Sequence, residues 1–165
     1  MDSIDLIRGN LCSSELIVLS RIEDMRDHCM VRSSVAGGSH TLWILGHLAF
    51  IEGLVVCEFM RGESNPLEDW KRMFDESTVN DDINQMVPFD RALSQCRRMR
   101  ASTISLIDSL DESDLDRKSA RAPETAKAIF GDFRGCLQYC SDHWLMHRGQ
   151  LANARTAAGL TPMWF

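Results

Sequence analysis

The chain has 165 residues, 44% of them hydrophobic, with 18 basic against 24 acidic side chains and a formal charge of −6. That length suits one domain over residues 1–165 whose core buries roughly 70% of the unfolded chain's surface, so neither a metal nor a disulfide is needed merely to fold, and any ion is expected to be functional. The acidic balance excludes a sequence-independent attraction to nucleic acid or to an anionic membrane.

The opening stretch, "MDSIDLIRGNLCSSELIVLS", carries acids early and lacks both a basic segment and a continuous apolar run, so it does not read as a signal peptide. Ile7, Leu11, Val18, Ile22, Met25 and Cys29 recur at steps of three, four and seven, which predicts a first helix from about residue 3 to 30. "VAGGSH" breaks it. Ser39 is the expected N-cap of a second helix, whose apolar period runs through Leu42, Trp43, His47, Ile51 and Leu54 to about Arg61. Residues 62–87 are polar and acidic and read as a long connection.

Pro88 suits a helix start because its missing N–H would be unpaired there anyway. Leu93, Cys96, Thr103, Ile107 and Leu110 carry a third helix to about residue 110, with Arg97, Arg98 and Arg100 as its solvated face. "DESDLDRKSARAPET" is a second polar link. The fourth helix is expected from about Gly131 to Ala158, ended by Gly159 and kept from resuming by Pro162.

No run alternates with a period of two between hairpin turns, so no sheet is expected. No window reaches the roughly 18 apolar residues of a membrane span. Six cysteines scattered through helical stretches predict reduced thiols in a cytoplasm, not a disulfide framework. The expected fold is all-α, a four-helix bundle. The short first link makes an antiparallel pair, and the crossover between helices 2 and 3 is long enough to start helix 3 parallel to helix 2, giving an up-down-down-up course.

Within "CSDHWLMHRGQLANARTAAGLTP", His143 and His147 are one turn apart. At about 100° per residue they share a stripe with Cys136 and Cys140, so both rings face inward. A lone buried histidine is commonly a core residue with its N–H satisfied, whereas two at i and i+4 can reach one ion from a single helix face. A third protein ligand is then required from another helix. His47 is the candidate, an imidazole in an otherwise apolar stretch behind Gly46, which leaves room for a close approach. His40 lies about 10 Å further along the axis, too far to share the ion, and is expected at the pocket mouth or in solvent.

Gly46-His47-Leu48 after "WIL", then His143-x3-His147-Arg148-Gly149-Gln150-Leu151, then a small-residue helix end with Gly159 and Pro162, resembles the DinB-like superfamily over nearly the whole chain. The resemblance implies an up-down-down-up bundle with a divalent ion on His47, His143 and His147. It also implies homodimers, and relatives that include bacillithiol-using thiol S-transferases and a mycothiol-dependent maleylpyruvate isomerase. Three neutral imidazoles leave an ion its charge, so that a thiol or water is acidified near neutral pH.

Zinc, nickel, copper and iron all suit imidazole. The expected function is therefore metal-dependent transfer of a low-molecular-weight thiol to a small electrophile, or hydrolysis of one. The alternative is a non-catalytic, stress-related bundle that binds a metal or small molecule. A small-molecule substrate is the expected partner, with neither nucleic acid nor membrane. Around the ion, Cys140 is a possible thiolate ligand and Gln150 a group that orients a ring N–H. Arg148 is expected to pair with an acid on another helix, Glu15 to be a charged stripe edge within reach of the pocket, and Trp43 and Trp144 to be core residues or pocket walls.

Overall fold

The computed structural model describes residues 2–34, 38–75, 79 and 81–161. Among these the fold is all-α, a helical bundle whose long elements are α1 (Ser3–Leu19), α2 (Thr41–Gly53), α3 (Phe89–Ile107) and α4 (Phe133–Ala157).

The Asp2 side chain caps α1 by accepting the Asp5 N–H. The helix stops at Leu19, eleven residues before the expected end at 30. Arg21 sits at φ 57°, outside helical geometry, and its carbonyl accepts the Asp24 N–H at 3.2 Å, three residues on, together with Arg155 Nη1 at 2.9 Å. A 3-10 turn over Ile22–His28 continues the apolar stripe, and Ile22, Met25 and Cys29 remain buried as their spacing predicts.

The N-cap of α2 is His40, one residue beyond the expected Ser39. Its Nδ1 accepts the Trp43 backbone N–H at 3.0 Å, and the residue is fully buried, not at a solvent edge. All thirteen residues of α2 are buried, and the helix continues as a π-helix over Leu54–Met60, ending where the sequence pattern does. Contrary to the expectation of no spanning window, Thr41–Met60 is by length and mean hydropathy apolar enough to cross a membrane. However, 83% of that window is buried inside the fold, as in a core helix.

The first long link is more than a spacer. A turn over Glu68–Trp70 and a short helix over Lys71–Phe74 drive Trp70 and Phe74 into the core. Gly46 is what admits Phe74: a Cβ there would lie 2.2 Å from Phe74 Cε1. Asn65 fastens the link to α2 by donating Nδ2–H to the Phe50 carbonyl at 3.0 Å.

Pro88 caps α3, which ends at Ile107. Arg97 and Arg98 are exposed as expected, but Arg100 is completely buried. Its guanidinium donates to Glu52 of α2, to the Leu11 carbonyl and Ser14 Oγ of α1, and to the Cys140 carbonyl of α4, all at 2.8–3.2 Å. Trp144 Nε1 completes the Glu52 carboxylate at 2.7 Å. Desolvating these charges is tolerable because every donor finds an acceptor.

Asp132 caps α4 by accepting the Gly135 N–H, and Gly159 at φ 75° closes its far end as predicted. Pro162 and the C-terminal apolar residues, like 35–37 of the expected break, lie outside the described residues. Cross-links fix how the helices lie. Arg8 pairs with Asp108, Arg100 with Ser14 and Arg26 with Asp90, while Asn10 meets Gln138 and Arg155 meets Arg21.

Candidate metal centre

His143 and His147 project from one face of α4 because they are four residues apart, and His47 faces them from α2. One nitrogen from each of the three rings falls within 4.8 Å of the others. His143 Nε2 and His147 Nε2 are 3.1 Å apart, and the ring centroids of the three lie 4.7–5.1 Å from one another. Donor nitrogens about 2.0–2.1 Å from a tetrahedral ion are roughly 3.3 Å apart, so this convergence fits one first-row divalent cation.

Two of the rings are held by their outer nitrogens. His47 Nδ1–H donates to the Phe74 carbonyl at 2.7 Å, and His147 Nδ1–H donates to Gln150 Oε1 at 3.0 Å. Each bond fixes the tautomer that leaves Nε2 unprotonated, the form a metal needs. The Phe74 carbonyl is the last of its helical turn, one of the end carbonyls that a helix leaves for outside partners. Gln150 thus makes a contact with a ring nitrogen of His147.

The rings are packed as firmly as they are bonded. Trp43 stacks on His47 at 4.3 Å and 14°, and Tyr139 stacks on His143 at 5.3 Å and 12°. His47, His143 and His147 are 2%, 4% and 9% exposed. Burial lowers the His47 pKa to about 4, against the opposing pull of the Phe74 carbonyl. Burial depresses His143 further, helped by the neighbouring His147 and His47. Near neutral pH these two rings are therefore neutral, with lone pairs available to a cation.

The remaining expectations divide. Trp43 walls the cluster, while Trp144 is a core residue tied to Glu52. Cys140 is fully buried and outside the cluster, and desolvation raises its thiol pKa well above normal, which disfavours a thiolate ligand. Glu15 does not reach the histidines. It lines a 290 Å³ cavity with Leu16, Leu19 and Arg97, where burial raises its pKa. Arg148 pairs with no acid among the described residues, and its Nε is buried without a partner.

Sequence reasoning missed Phe74, because a backbone carbonyl leaves no signature in residue type. It also missed Glu52 and Arg100, although Arg100 stands at helical spacing from Cys96, Thr103 and Ile107 on the core side of α3. The family model described as the DinB superfamily matches residues 17–151, a span that includes all three histidines and Phe74. No curated protein matches the chain.

Proposed function

Because the chain belongs to the DinB superfamily, we propose that His47, His143 and His147 bind one divalent metal ion and that the protein uses it to act on a small electrophile. The observation that carries this reading is the convergence of three imidazoles with two outer N–H groups already engaged. A divalent ion on three neutral imidazoles keeps its full charge and acidifies a thiol or water, supplying a nucleophile at neutral pH for thiol transfer or hydrolysis.

The chain's own residues hold the rings in register. Phe74 and Gln150 fix the tautomers of His47 and His147, and Trp43 and Tyr139 restrict the planes of His47 and His143. The test is elemental analysis of purified protein, followed by turnover of a thiol-reactive electrophile with and without a low-molecular-weight thiol. About one equivalent of metal, and turnover lost in His47→Ala, are expected. Unchanged metal affinity in both His143→Ala and His147→Ala would refute the assignment.

The proposal extends to topology, location and assembly. The order of the cross-links, with residues of α1 and of the turn that follows it rising as those of α3 fall and those of α4 rise, supports an up-down-down-up course. Six free thiols, five of them buried, support a cytoplasmic site of action. Leu16 on α1 and Met146 on α4, 73% and 68% exposed, are large apolar side chains left uncovered and support a symmetric dimer that would bury them. Sedimentation at a concentration-independent mass near 18.7 kDa would exclude the dimer.

A further inference from the structure

We propose that the indole N–H of Trp43 is a ligand-binding donor, and that the ligand it receives is an oxyanion, a carboxylate in the first instance, which also occupies an open position on the metal. This rests on the metal reading above. Trp43 is 5% exposed, yet its Nε1 is buried with no hydrogen-bond partner among the described residues. Buried indole nitrogens ordinarily find an acceptor. The same chain shows the ordinary case in Trp144, whose Nε1 donates to Glu52.

The position of Trp43 gives the unused donor its meaning. Its ring lies flat on His47 and has its centroid 6.2 Å from that of His147, so it borders two of the three ligand rings. The Trp43 backbone N–H is already committed to His40 Nδ1, and stacking on His47 restricts the ring's rotation toward another acceptor.

The chemistry of the donor selects the ligand. An indole N–H can only donate, so its partner must present a lone pair. An ion on three neutral imidazoles retains two positive charges and favours an anion. A carboxylate satisfies both, giving one oxygen to the ion and the other to the indole. The site would then prefer substrates or thiol cofactors that bear a carboxylate over neutral analogues.

Cobalt(II)-loaded protein tests this without any turnover, because cobalt's visible absorption reports both its own binding and that of an added anion. Wild type and Trp43→Phe, which keeps an aromatic ring against His47 but has no N–H, are loaded with cobalt and titrated with acetate. Cobalt stoichiometry and affinity should be unchanged, and acetate should bind Trp43→Phe about tenfold more weakly, as loss of a hydrogen bond to a charged group implies. A protein carrying β-(3-benzothienyl)alanine at position 43, which matches indole in shape but lacks the N–H, should behave likewise and excludes a packing artefact.

Equal acetate affinity in wild type and the benzothienyl protein would overturn the inference, as would a cobalt spectrum in wild type that acetate does not alter. Failure of wild type to bind cobalt would overturn the metal reading itself and is recognised separately, before any acetate is added.

Discussion

At the scale of the residue, His47 carries the clearest measurable signature. Its folded pKa is lowered from 6.5 to about 4, so below pH 6.5 the unfolded chain takes up a proton that the folded chain refuses. In metal-free protein, stability should therefore fall with pH from about 6.5 down to about 4 and lose no more from this group below that. About 3 kcal/mol is at stake for this one residue. Urea denaturation at pH 7.5, 5.5 and 4.5, compared with His47→Gln, checks it: the variant should show a visibly flatter dependence. Gly46 gives a second test. Gly46→Ala would push a methyl group into the Phe74 ring, which is fully buried, and should cost about 1–3 kcal/mol. Because the Phe74 carbonyl holds His47, metal affinity should drop with the melting temperature, whereas an unchanged melting temperature would show that the ring has room to move.

At the scale of the element, the Arg100 guanidinium does for the four long helices what no single apolar contact does, joining α1, α2, α3 and α4 at one level. Arg100→Met would leave the Glu52 carboxylate buried with only Trp144 to satisfy it, and a loss of about 3–5 kcal/mol is expected. Adding Glu52→Gln to that variant should recover part of the loss, since it removes the uncompensated charge. Chemical denaturation of wild type and the two variants measures both effects. The apolar period made these helices legible: the end of α2, the span of α3 and the Gly159 stop of α4 all follow from spacing and caps. The break at Ser20 and Arg21 did not, because the stripe is unchanged across it and the contact made there, with Arg155, comes from more than a hundred residues away. Arg100 was hidden by a related effect. Reading it with Arg97 and Arg98 as one basic cluster ignored that Arg100 lies four residues from Cys96 and three from Thr103, both buried, and so shares their face of the helix.

At the scale of the whole molecule, the large apolar core should hold without an ion. Chelation should leave helical circular dichroism largely intact and lower the melting temperature by binding linkage alone, about 2.7 kcal/mol when free metal exceeds its dissociation constant a hundredfold. Following both signals with and without chelator at pH 7.5, 5 and 4 tests this, with the metal effect fading towards pH 4, where a proton competes for His47. Collapse of the helical signal on chelation would instead mark the ion as structural. The ligand set also implies an order of assembly. Two of the rings are four residues apart and share α4, whereas His47 and His143 are separated by 143 − 47 = 96 positions. Closing the longer loop in an unfolded chain costs roughly 3 kcal/mol more than closing the shorter. A metal present during folding therefore meets the α4 pair first and gains its third ligand only when α2 and the link bearing Phe74 have docked. Cobalt's change from partial to full coordination would then time the last step of folding, not the first.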